Sequence, residues 1–129
     1  MRQRANKFLA GLTRSFRAAG RGVQIALNEE RTFRVMTACA LLVVAAICLL
    51  PLATSERIIL LLVTGSVLVL ELLNTAIERF TDLVKPRLSL YVRDVKDLMA
   101  AAVLLASGIA AAIACLIIGP HLISIFLSL

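Results

Sequence analysis

Three stretches of the chain are almost without charge, and a fourth, at the start, alternates apolar and basic positions. Between Lys7 and Leu27 the residues Phe8, Leu12, Phe16, Ala19, Val23 and Leu27 recur at steps of three or four, with Lys7, Arg14, Arg17 and Arg21 on the other side of the wheel. That pattern predicts an amphipathic interfacial helix over 7–27. Gly20 and Gly22 each cost about 1 kcal/mol against Ala in a helix interior, so a break or bend is expected near Gly20.

The uncharged stretches predict membrane spans at 35–52, 58–77 and 98–119. At about 1.5 Å per residue each is long enough to cross, or nearly cross, a hydrocarbon core of about 30 Å. The first span ends at Pro51, a short polar turn is expected from Ala53 to Arg57, and Gly119 with Pro120 should stop the last helix. The expected fold is an all-α membrane protein, one domain over 1–129: a surface helix followed by three transmembrane helices.

Composition agrees. The 129 residues are 60% apolar and have a mean hydropathy of +0.96, against about 45–50% apolar in ordinary soluble domains. No stretch remains for a soluble catalytic domain, so chemistry must sit on the helices. The net charge of +6 is not interleaved with aromatics and suits anionic lipid better than nucleic acid. Eight of the fourteen Lys and Arg lie in 1–34, one (Arg57) lies in the first turn, and five lie from Arg79 to Lys96. The positive-inside rule therefore places the N-terminus and the second loop in the cytoplasm. Cys39, Cys48 and Cys115 are odd in number, lie in apolar runs and form no CxxC pair, so they read as small packing residues.

The second span carries the candidate chemistry. In VLELLNTAIERFTD (69–82), Glu71, Asn74, Thr75, Glu78 and Asp82 fall at i, i+3, i+4, i+7 and i+11, which puts them on one helical stripe. Counted from Glu56, Glu71 lies about 22 Å along the helix and Glu78 about 33 Å. A carboxylate inside a membrane costs on the order of 2.5–3.5 kcal/mol, so it normally faces a bundle interior and marks a function. The deep Glu71 is a candidate proton acceptor and the shallower Glu78 a candidate cation ligand. A purely structural clasp of Glu71 and Asn74 on neighbouring helices is the alternative.

Two more clusters belong to the same membrane surface: NEERTFR (28–34), with Glu29 and Glu30, and YVRDVKD (91–97). If the helices bundle, Glu30 and Glu78 come level, and two carboxylates suit a hard cation such as Mg²⁺. Lys96, beside the start of the third span, is placed to meet phosphate oxygens with help from the helix dipole. No GxxxxGK(S/T) or GxGxxG loop occurs in the sequence. An oligomeric proton or cation channel would also line one face with acids, but it has no use for Lys96 and Asp97 beside them.

The pattern ELLNTAIE, followed eighteen residues after its last Glu by KDL and a small-residue apolar helix, resembles the bacterial integral-membrane diacylglycerol kinase and undecaprenol kinase family. The likeness runs from FRAAGRG (16–22) through NEERTFR to VKDLMAAAVL (95–104). It implies a helical-bundle homotrimer in the cytoplasmic (inner) membrane that phosphorylates a lipid alcohol with MgATP at the cytoplasmic face. By motif position, Glu71 is similar to the family's general base, Asn74 would orient base or substrate, and Glu78 and Glu30 would hold Mg²⁺ and so bind ATP. The resemblance further suggests nucleotide contacts from Lys96, Asp97, Arg14 and Arg17, and lipid contacts from Glu71 and Asp82. Diacylglycerol is the expected acceptor and undecaprenol the runner-up. The chain departs from the pattern at Ser89, where many diacylglycerol kinases have a His, and at Met36, where they carry an acid.

Overall fold

The computed structural model describes residues 2–84 and 89–127, and these residues are helical apart from Glu30 and the turn at 50–53. Four helices follow in order: α1 (Arg2–Glu29), α2 (Arg31–Leu49), α3 (Thr54–Val84) and α4 (Ser89–Leu127). Among them α2, α3 and α4 are long and apolar enough to cross a membrane. The expected fold class is the observed one.

Several boundaries differ from expectation. Helix α1 runs through Gly20 and Gly22 without a break, because neither glycine takes a positive φ and their propensity cost is small beside a helix of 28 residues. Helix α4 continues through Gly119 and Pro120 to Leu127. Proline removes one N–H from the ladder, and an apolar helix absorbs that loss more readily than it exposes a whole turn of backbone to lipid. The apolar tail from His121 to Leu127 is therefore the last two turns of α4.

The turn between α2 and α3 is also tighter than Ala53 to Arg57. Glu56 accepts the N–H of Ala53 at 2.7 Å, and Arg57 Nε donates to the Leu52 carbonyl at 3.1 Å. The first bond is half of a capping box, with the N3 Glu reaching back to the residue ahead of the helix, so α3 starts at Thr54.

Burial follows a seven-residue step on α2, where Phe33, Ala40 and Ile47 are inside, and Ala26 extends the same step back into α1. A seven-residue repeat keeps one seam of a helix against its neighbours. On α3 the inward seam is Leu60, Val67, Glu71 and Thr75. Near the α2–α3 turn, Ile47, Leu50, Leu52 and Leu60 pack with Ala114, Ile117 and Ile118 of α4. Leu60 is completely buried there. Helix α3 is thus the central element, packed on α2 and α4, while most of α4 turns Leu104, Leu105, Ile109 and Leu116 outward. The three cysteines are exposed on the single chain rather than packed within it.

Candidate functional site

The seam of α3 changes character along its length: apolar at Leu60 and Val67, acidic and polar from Glu71 onward. Glu71 is 3% exposed and Thr75 is 7% exposed, which makes the carboxylate as inaccessible as the core aliphatics. The polar stripe is therefore the inward face of α3. It turns from lipid toward α2 and α4, as expected for charge that must be shielded from hydrocarbon.

A cavity of about 320 Å³ opens on this seam, with Glu71, Asn74 and Glu78 on one side, Thr32 and Met36 of α2 on another, and Val103 and Ser107 of α4 closing it. Asn74 Nδ2 donates to Glu78 Oε1 at 3.5 Å, and Asn74 Oδ1 is buried with no hydrogen-bond partner. An orphaned buried acceptor is unusual in a folded chain and is best satisfied by a donor entering the cavity. Next to this cavity an apolar one of about 240 Å³ runs between Cys39, Val43, Thr64, Leu68 and Ala111, and both share Met36 and Ser107 in their walls.

Glu30 comes to the same site from the α1–α2 junction. It is the single residue between the two helices, extended at φ −103° and ψ 114°, and its side chain makes no cap bond to α2. Its carboxylate meets Arg79, the residue after Glu78, so it lies beside the end of α3 that carries the cavity acids Glu71 and Glu78. On the rim, Arg79 Nη2 meets Glu29 Oε2 at 2.7 Å and Glu30 Oε1 at 3.5 Å. Arg34 Nη1 donates to the carbonyl of Asn28 at 3.0 Å, covering a backbone acceptor that the end of α1 leaves open.

Lys96 bonds Asp82 Oδ1 at 2.8 Å, joining α4 to the next turn of the α3 stripe. One expectation fails here. Helix α4 begins at Ser89, about 10 Å before Lys96, so the helix dipole, which acts over the first turn, does not assist this residue. Asp97 is exposed beside it, and Arg14 and Arg17 are exposed on α1 without lining the cavity. Between the second and third spans, residues 85–88 lie outside the described residues, and 89–93 are the opening of α4. Sequence reasoning missed Arg79: it follows Glu78 directly, yet only folding brings it to Glu29, fifty residues earlier.

One buried acid, Glu71, and half-buried Glu78 thus share a cavity at one end of a bundle of apolar helices. The family model for prokaryotic diacylglycerol kinase matches residues 17–118. The chain belongs to the prokaryotic diacylglycerol kinase family. It is therefore a multi-pass lipid kinase that uses ATP.

Its relatives carry two names. It is similar to a diacylglycerol kinase of Synechocystis sp., 39% identical over 95% of this chain and 71% of the relative. An undecaprenol kinase of Bacillus subtilis is 36% identical over 94% of this chain and 95% of the relative. A diacylglycerol kinase of Escherichia coli K12 is 32% identical over 86% of this chain and 93% of the relative.

Whether a divalent cation suits the site can be judged from its donors. Glu30 and Glu78 offer only hard carboxylate oxygens, and among the described residues no group of three His, Cys, Asp or Glu side chains forms a closed metal cage. Carboxylate oxygens are the donors Mg²⁺ takes, one or two of them together with substrate phosphates. The residues fit the ion.

Proposed function

We propose that this kinase transfers the γ-phosphoryl group of ATP to the hydroxyl of diacylglycerol, giving phosphatidic acid at the cytoplasmic membrane surface. The observation that carries the proposal is the placement of buried Glu71 in the wall of a cavity that adjoins an apolar one through Met36 and Ser107. A lipid alcohol needs that combination: polar groups for its hydroxyl and an apolar path for its chain.

In this reading Glu71 is the general base. The lipid oxygen attacks the γ-phosphorus, the bond to the β–γ bridging oxygen breaks, ADP leaves, and the hydroxyl proton passes to the Glu71 carboxylate. Asn74 holds Glu78 through its amide, and its Oδ1 is a buried acceptor without a partner, so it positions the Glu78 carboxylate while the lipid hydroxyl donates to Glu71. Glu30 and Glu78 would hold Mg²⁺, and the ion would supply positive charge to the phosphate oxygens. Lys96 is the cation for the nucleotide, ordered by Asp82 and flanked by Asp97, and Arg14 and Arg17 add positive potential at the surface. The arginines and lysines around this end of the bundle support a cytoplasmic site. A homotrimer follows from the family resemblance, and the exposed Ala100, Ala101, Ala111 and Ala112 of α4 would allow its helices to approach closely.

Undecaprenol is the second reading, favoured by a relative of that name that aligns over nearly its full length. Both alcohols should be assayed with MgATP in one detergent preparation. The proposal expects the higher kcat/KM for diacylglycerol, and a clear preference for undecaprenol would replace it.

A further inference from the structure

Arg79 poses a problem for the site. It directly follows Glu78 and reaches Glu30 Oε1 at 3.5 Å, so a permanent cation sits beside the two carboxylates assigned to the metal. A guanidinium matches a carboxylate well and cannot be neutralised. Left with Glu30 as its only partner, it would compete with any incoming divalent cation.

Glu29 changes that balance. Its Oε2 lies 2.7 Å from the same Nη2, the distance of a charge-assisted hydrogen bond, whereas the contact to Glu30 is at the edge of hydrogen bonding. The two acids also differ in depth, with the Glu29 side chain 60% exposed and that of Glu30 31% exposed. The shorter bond therefore draws Arg79 outward, away from the more sheltered carboxylate. The backbone makes this possible: Glu29 ends α1, while Glu30 lies in the extended link with no cap bond to hold its side chain. Adjacent acids, one helical and one extended, can thus divide one guanidinium unequally.

We propose that Glu29 is a positioning residue that holds Arg79 off Glu30 and leaves Glu30 available to a divalent cation. The inference rests on the reading of Glu30 as a metal ligand. It assigns Glu29 and Arg79, which the motif reading leaves without a role, to the control of metal affinity.

The test is Mn²⁺ binding, followed by electron paramagnetic resonance of the purified full-length protein with a non-hydrolysable ATP analogue. Glu29→Gln should weaken Mn²⁺ binding about fivefold, the scale of an exposed ion pair, because Arg79 then turns to Glu30. Adding Arg79→Gln to that variant should restore the affinity, and Arg79→Gln alone should bind at least as well as wild type. Unchanged affinity in Glu29→Gln, no restoration in the double variant, or weaker binding in Arg79→Gln would each overturn the proposal. Glu30→Gln separates the two layers. Binding lost there but intact in Glu29→Gln removes the inference alone, whereas binding that survives Glu30→Gln removes the metal assignment and the inference with it.

Discussion

Lys96 Nζ lies 2.8 Å from Asp82 Oδ1, so the cation assigned to the nucleotide is held by the same helix that carries the base. Fourteen residues separate the two in sequence, and their bond ties the start of α4 to the end of α3. Lys96→Ala should lower kcat/KM for ATP by roughly 10- to 100-fold, the scale of one hydrogen bond to a charged group. The KM for the lipid should change little. Steady-state kinetics with each substrate varied in turn checks the split.

Glu71→Gln keeps the shape of the buried side chain and removes its ability to take a proton. Loss of a general base predicts a fall in kcat of about 10²–10⁴. Mn²⁺ binding should stay near wild type, since Glu30 and Glu78 remain. Near-normal phosphorylation by the purified variant would refute the role of Glu71.

Met36 stands in the walls of both cavities. Met36→Phe should crowd the junction and raise the lipid KM, at a packing cost of about 1–3 kcal/mol, with the KM for ATP unchanged. A short-chain, water-soluble alcohol acceptor should be less affected than a long-chain one. Equal losses for both would mean that the apolar cavity is not the path of the tail.

The far end of the bundle should matter for stability only. His121 Nε2 lies 3.8 Å from Glu56 Oε2, and its Nδ1 lies 2.9 Å from the Ile117 carbonyl, so both contacts are at the opposite end of α3 from Glu78. His121→Ala should leave kcat and both KM values unchanged and cost at most about 1 kcal/mol of stability. Leu60→Ala, which empties the buried centre of the Ile47–Leu52 cluster, should cost about 2–5 kcal/mol. Thermal unfolding in detergent ranks the two.

Much of this protein can be read from local spacing. Charge-free runs of sufficient length specify three spans, because backbone polar groups in lipid require continuous helix. The step of three and four residues places Glu71, Asn74, Thr75 and Glu78 on one face, because helical periodicity is a property of the chain itself. Three of the residues that the motif positions name, Glu71, Asn74 and Glu78, line one cavity.

The cost of charge in lipid already points that face inward; what spacing does not contain is the partners it meets. Only tertiary contact sets Glu71, Asn74 and Glu78 against Thr32 and Met36 of α2 and Val103 and Ser107 of α4, and brings Arg79 to Glu29 or Lys96 to Asp82. Pro120 gives the same lesson in reverse: locally it is a stop signal, yet α4 continues past it. The sequence determined the helices and the chemistry each one carries. The tertiary structure decided which charges meet, because an ion pair between residues fifty positions apart depends on how whole helices pack.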